Sequence, residues 1–225
     1  MTKNKRAVAL LSGGLNSFVA TKLAMTMRYE IIEAITFNYG QEHCDEVDAA
    51  MELAKYLEVP ISVYQPTMMW EYSDGLALDV AKHMTQVGLN NSFWYGRELV
   101  IPLVAAARAH ALKCAVVITG TTAPRVGRKA IELQEAAIDA AGFKVTFEHP
   151  FIETKLGHAF KEAEALGIWD QALTMNYDCL HGSQAQNSWG IGCGQCEGCL
   201  RRMKAHETIV EFFKEELQGG QHAQN

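Results

Sequence analysis

Ala7-Val8-Ala9-Leu10-Leu11-Ser12-Gly13-Gly14-Leu15-Asn16-Ser17-Phe18-Val19 runs from an apolar stretch, through two glycines, into a segment with helical spacing. A short apolar run bounded by glycines reads as a buried strand, here residues 6–11. Residues 17–27 carry Phe18, Val19, Leu23 and Ala24 at helical spacing, with Ser17 in the first turn or at its cap. Two glycines let the backbone bend sharply and approach an anion closely. The helix that follows directs its unpaired amides and the positive end of its dipole at the same point. Ser12 and Ser17 add hydroxyl donors. The order of strand, glycine turn and helix is therefore a phosphate-binding arrangement. It lacks the lysine of a Walker loop and does not read Gly-x-Gly-x-x-Gly.

The pattern continues outward from this stretch. Residues 31–37 read as a strand ending at Tyr39-Gly40, and residues 42–57 as a helix with Val47, Ala50, Met51, Ala54 and Leu57 on one face. A short strand follows at 60–64. Residues 65–94, rich in Met, Trp and Asn, give no clear element. Residues 95–113 are helical in composition, and Pro102 marks a kink or a late start. A strand at 115–119 ends at Gly120; a helix at 129–141, a strand at 145–147 and helices at 156–166 and 203–217 complete the chain. The Gly/Gln-rich residues 218–225 are expected to be a disordered tail. Strands alternating with helices predict an α/β fold over residues 1–150, a mostly parallel sheet with helices on both faces. Residues 151–217 form a C-terminal segment packed on it. Ligands of such sheets bind beyond the carboxyl ends of the strands. Residues 12–17, 38–41 and 119–125 fall there.

Composition narrows the function. The chain has 225 residues, 48% of them hydrophobic, and a net charge of −6. An acidic chain with no basic stripe argues against a clamp on nucleic acid and for a small-molecule partner. No apolar run approaches the ~20 residues of a membrane helix. A cytoplasmic location is expected, and clustered cysteines in a reducing compartment hold a metal more often than a disulfide.

Four of the six cysteines, Cys179, Cys193, Cys196 and Cys199, lie near the C-terminus, the last three as Cys-x-x-Cys-x-x-Cys. Four thiolates suit tetrahedral zinc; an iron–sulfur cluster is the competing occupant. A site saturated by cysteines has no open position for water, so its role is structural. Cys44 and Cys114 read as packing residues. His43, His110, His149, His158 and His181 are scattered and read as surface or packing positions.

The hexamer 12–17 resembles the Ser-Gly-Gly-x-Asp-Ser loop of the ATP pyrophosphatase (PP-loop) superfamily, whose enzymes split ATP between the α and β phosphates and adenylate an oxygen. Over most of residues 6–204 the chain resembles the 7-cyano-7-deazaguanine synthase family of the queuosine precursor pathway. Beyond the hexamer, the likeness rests on Thr36-Phe37-Asn38-Tyr39-Gly40-Gln41, on Tyr95-Gly96-Arg97-Glu98, on Thr119-Gly120 and Thr154-Lys155, and on the cysteines with Leu200-Arg201. The resemblance implies ATP and Mg2+ as cofactors, structural Zn2+ on the four cysteines, and conversion of 7-carboxy-7-deazaguanine and ammonia to a nitrile through an amide. It implies that Ser12, Gly13, Gly14, Leu15, Asn16 and Ser17 hold the phosphates. Lys155, and with it Arg97, would be cationic partners of the transferring group. Phe37, Tyr39, Gln41 and Gly120 would border the nucleotide.

Three departures stand out. Asn16 occupies the position where the superfamily has Asp, and an amide is a poor magnesium ligand. Residues 121–128 replace a longer, carboxylate-bearing stretch that handles the deazapurine in the family. Residues 180–192 separate Cys179 from Cys193 more widely than the family does. Two alternative readings follow: joining of the adenylated carboxylate to an amine of a protein substrate, or an impaired nucleotide-binding homologue. Residues 66–94 are a candidate cover for a homodimer interface.

Overall fold

A computed structural model of the chain describes residues 5–38, 45–65, 97–122 and 127–222, with the backbone alone for Arg97 and residues 217–222. Five parallel strands form one sheet: β1 (Lys5–Leu10), β2 (Tyr29–Phe37), β3 (Ile61–Tyr64), β4 (Val116–Ile118) and β5 (Thr146–Glu148). Their order is β3-β2-β1-β4-β5. The chain winds from β1 out to β3, then returns to the other side of β1. The carboxyl ends of β1 and β4 therefore flank a topological switch point, where such sheets open a crevice.

Seven helices cover the sheet among the described residues: α1 (Leu15–Thr26), α2 (Asp45–Tyr56), α3 (Arg97–Ala111), α4 (Arg128–Ala140), α5 (His158–Ala165), α6 (Trp169–Thr174) and α7 (Glu197–His222). Alternation along β1 assigns the faces. Ala7, Ala9 and Leu11 join a core with Phe18 of α1, Leu53 of α2, and Phe151, Phe160 and Ile209 of the C-terminal segment. Val8 joins Ile35, Phe37, Val117 and Ala105 of α3 in a core on the opposite face. One apolar cluster thus unites residues on both sides of position 150.

Three boundaries differ from expectation for physical reasons. The late start does not occur: Pro102 lies inside α3, which already includes Arg97. Proline cannot donate to the carbonyl four residues back. That carbonyl, on Glu98, instead accepts a hydrogen bond from the Gln134 side chain of α4. The last helix begins at Glu197, inside the cysteine motif, instead of at residue 203. It also continues past residue 217, into the segment expected to be a disordered tail, as far as His222. A short antiparallel hairpin, β6 (Gln186–Asn187) and β7 (Gly190–Ile191), and the six-residue α6 have no counterpart in the sequence reading. Both are too short for apolar periodicity to reveal.

One buried charge ties this scaffold together. Glu33 of β2 receives Arg108 Nε at 2.6 Å and Nη2 at 2.8 Å from α3, and Ser62 Oγ at 2.6 Å from β3. The Arg108 hydrogen bond, helped by Ser62, outweighs burial and holds the Glu33 carboxyl below its ordinary value. Among the described residues, no helix is long and apolar enough to cross a membrane.

Candidate functional site

Residues 11–17 cross from the end of β1 to the start of α1 at the switch point. Gly13 adopts φ +85°, and a Cβ there would overlap the Glu46 carbonyl of α2. The turn therefore needs a glycine both for its handedness and for close packing. Ser17 closes the loop on itself. Its buried hydroxyl donates to the Gly14 carbonyl at 2.9 Å and accepts from the Ser12 amide at 3.1 Å. Ser17 Oγ thus shapes the loop, and the exposed Ser12 hydroxyl, 3.1 Å from it, is the one presented outward. The first helical hydrogen bond of α1 is Phe18 N–H to Gly14 O, 3.3 Å. The amides ahead of Phe18 have no carbonyl within the helix to bond, an arrangement suited to receiving an anion.

Gly120, at the carboxyl end of β4, is pressed against this first turn; a Cβ on it would overlap the Ser17 amide nitrogen. The loop and Gly120 are thus brought together as expected. Phe37 ends β2 but is buried beside Tyr64, ring centroids 5.8 Å apart, in the core of the opposite face. Lys155 is exposed on the turn before α5; its carbonyl accepts the His158 amide at 3.1 Å, and its side chain has no hydrogen bond or ion pair among the described residues. Tyr39, Gln41, His43 and Cys44 lie outside the described residues, as do residues 123–126 and 66–94, and the Arg97 side chain is likewise not described.

His149, read as a scattered histidine, stands at the lip of the crevice. Its Nδ1 lies 2.8 Å from Thr119 Oγ1, and its Nε2 2.7 Å from Glu135 Oε1 of α4. Its place directly after β5 was the available signal, since polar residues at strand carboxyl ends face the ligand side.

The C-terminal segment also reaches the loop. Tyr177 N–H donates to Gly13 O at 2.9 Å. The Asp178 carboxylate sits against Gly14: Oδ1 lies 2.8 Å from where a Gly14 Cβ would be. Arg202, 4% exposed, anchors this arrangement. It donates to Asp178 Oδ2 at 2.9 Å, Trp189 O at 2.9 Å, Ala172 O at 2.6 Å, and the Asn176 side-chain oxygen. Arg201, singled out from sequence, is exposed. One helical step, about 100°, separates the surface arginine from the buried one.

The thiol sulfurs of Cys179, Cys193, Cys196 and Cys199 all lie within 4.8 Å of one another. Backbone amides of Leu180, Gln195, Cys196 and Cys199 point at sulfurs of this group at 3.3–3.5 Å. Amide donors favour thiolate over thiol. The Gln195 amide, aided by that of Cys196, brings the Cys193 thiol down to about 6, whereas burial pushes Cys199 up. Four clustered sulfurs with amide support fit a tetrahedral metal. The widened spacing after Cys179 is occupied by the β6–β7 hairpin. Its Trp189 is 7% exposed and packs with Cys179, Cys196 and Cys199. Gln184 Nε2 reaches Asp45 Oδ1 of α2 at 2.5 Å. The insertion therefore clasps the sulfur cluster.

A parallel sheet of this order, carrying a Ser-Gly-Gly loop at its switch point, defines a PP-loop protein of the ATP pyrophosphatase class. More narrowly, residues 6–210 match the family described as "Queuosine biosynthesis protein QueC", and the chain belongs to that family. A 7-cyano-7-deazaguanine synthase of Polaromonas sp. (strain JS666 / ATCC BAA-500) is 28% identical, over 91% of this chain and 96% of that protein. The enzyme of the same name from Bdellovibrio bacteriovorus is 29% identical, over 96% and 100%. Among solved structures, a 4-thiouridine synthetase in complex with RNA and ATP superposes with a TM-score of 0.53 at 17% identity, over 75% of this chain and 42% of that one. That likeness bears on the fold.

Proposed function

We propose that the chain adenylates 7-carboxy-7-deazaguanine with ATP and passes the activated carboxyl to ammonia. The observation that carries this is the family match over residues 6–210, in a chain whose loop and Gly120 meet at the switch point. In this reading the amides at the start of α1 and the Ser12 hydroxyl hold the phosphates. A substrate carboxylate oxygen attacks the α phosphorus, and pyrophosphate leaves. Ammonia then attacks the acyl carbon, loses a proton, and AMP leaves to give the amide. A second adenylation, on the amide oxygen, followed by loss of AMP and a proton, gives the nitrile.

Asn16, Lys155 and Arg97 are the residues proposed for the charge changes at phosphorus. Lys155 is exposed and unpaired among the described residues, so its ammonium is free to meet the departing pyrophosphate. Mg2+, when bound, would neutralise charge on the leaving group. Zn2+ is the proposed occupant of the four thiolates, holding the hairpin and the start of α7 together. The proposed location is the cytoplasm, where thiols stay reduced.

Mass analysis of products after incubation with ATP, Mg2+, 7-carboxy-7-deazaguanine and ammonium is the test. AMP, pyrophosphate and an amide or nitrile are expected. AMP formation only when a protein amine is supplied would replace ammonia by a protein substrate. No AMP with either amine would leave a nucleotide-binding homologue.

A further inference from the structure

The phosphate loop carries an amide, Asn16, where its class has a carboxylate, yet the folded chain returns a carboxylate to the loop from 162 positions further along. Asp178 Oδ1 lies 2.8 Å from the Gly14 Cβ direction, and Ser12 Oγ lies 3.6 Å from that same point. The oxygen thus stands against Gly14 of the phosphate loop, and the exposed Ser12 hydroxyl also lies near that point. Its placement is fixed from three sides. Tyr177 N–H bonds Gly13 O at 2.9 Å, Arg202 holds Oδ2 at 2.9 Å, and Gly198 packs on the Asp178 carbonyl. The ion pair with buried Arg202 accounts for Oδ2. It leaves Oδ1, which has no hydrogen-bond partner among the described residues. A carboxylate oxygen at an anion site repels phosphate unless a cation sits between them. Oxygen donors of this charge are what Mg2+ takes alongside phosphate oxygens.

We propose that Asp178 is the carboxylate that binds the divalent cation of the metal–nucleotide complex, in the place of the aspartate that Asn16 replaces. The inference rests on the reading of this site as an ATP site. It explains why Asn16 is tolerated: the negative charge is supplied by the C-terminal segment, and so the sulfur cluster that orders that segment also sets the metal.

The test uses the full chain with α,β-methylene-ATP, which is not cleaved, and Mn2+ as the probe cation. Loss of the free Mn2+ resonance measures metal affinity in the ternary complex, and calorimetry without metal measures nucleotide binding alone. Asp178→Asn keeps an oxygen for Arg202. It is expected to weaken Mn2+ by about tenfold or more, with metal-free nucleotide binding unchanged or tighter. Asn16→Asp introduced into that variant is expected to restore Mn2+ affinity, which a purely structural role for Asp178 would not allow. Asp178→Ser serves as the second variant should the first lose its fold. Wild-type Mn2+ affinity in a folded Asp178 variant overturns the proposal. Absence of nucleotide binding to the wild-type chain overturns the ATP reading, and the proposal falls with it.

Discussion

Gly120 shows how a single residue can carry the geometry of the site. Its missing side chain leaves room for the Ser17 amide and the Asn16 carbonyl carbon, both backbone atoms that cannot rotate away. Gly120→Ala is expected to cost about 1–3 kcal/mol of stability, read as a shift in the urea midpoint. Nucleotide affinity should fall as well, because α1 and its amides must move. Unchanged affinity in a destabilised variant would mean that the phosphates are held elsewhere. Ser17 is a second such position. Its hydroxyl is committed to Gly14 O and Ser12 N–H, so Ser17→Ala is expected to loosen the loop itself, whereas Ser12→Ala removes a group presented outward. Circular dichroism melting separates the two, with the larger loss, about 1–2 kcal/mol, at the buried Ser17.

Among the elements, β2, β3 and α3 depend on the Glu33–Arg108–Ser62 cluster. Glu33 has a 9%-exposed side chain, and Arg108→Ala would leave its carboxylate with Ser62 alone. The expected cost is about 2 kcal/mol, measured by urea unfolding at neutral pH. The pH dependence has a definite sign. Arg108, then Ser62, holds the folded Glu33 value below its ordinary 4.5. The contribution of the pair is therefore complete above 4.5 and is lost as pH falls through the lower, folded value. Urea midpoints between about pH 7 and pH 3 should drop less steeply in Glu33→Gln than in the wild type. The α3–α4 contact has a similar local logic. Pro102 frees the Glu98 carbonyl and Gln134 takes it up, so Gln134→Ala should cost about 1 kcal/mol by the same measurement.

At the scale of the whole molecule, the sulfur cluster and the phosphate loop form one mechanical unit. Cys179 adjoins Asp178 and Tyr177, which touch Gly14 and Gly13, and Arg202 links that strip to the hairpin carrying Trp189. Stripping metal with a chelator is expected to lower the melting temperature, expose residues 176–199 to limited proteolysis, and weaken nucleotide binding. Nucleotide affinity that survives while the segment is cleaved would break the link. Trp189→Ala removes a buried indole from the cluster and is expected to cost about 3 kcal/mol, read as the urea midpoint of the metal-loaded chain.

Much of this was legible along the chain because it is encoded by neighbours. The β1 run, Gly13-Gly14 and the amphipathic start of α1 are contiguous, so the phosphate loop and the α/β alternation follow from local pattern. The four cysteines likewise name a metal cluster from their spacing and clustering alone, and the structure adds that their sulfurs meet within 4.8 Å of one another. What tertiary structure decided are pairings between residues far apart in sequence, which no periodicity records. Asp178 reaching Gly14, Arg202 rather than Arg201 turning inward, His149 linking Thr119 to Glu135, and Gln134 completing the helix that Pro102 interrupts all depend on how elements pack. The loop's shape belongs to residues 12–17; the carboxylate set against Gly14 is brought there by the fold, because Asp178 arrives from the C-terminal segment.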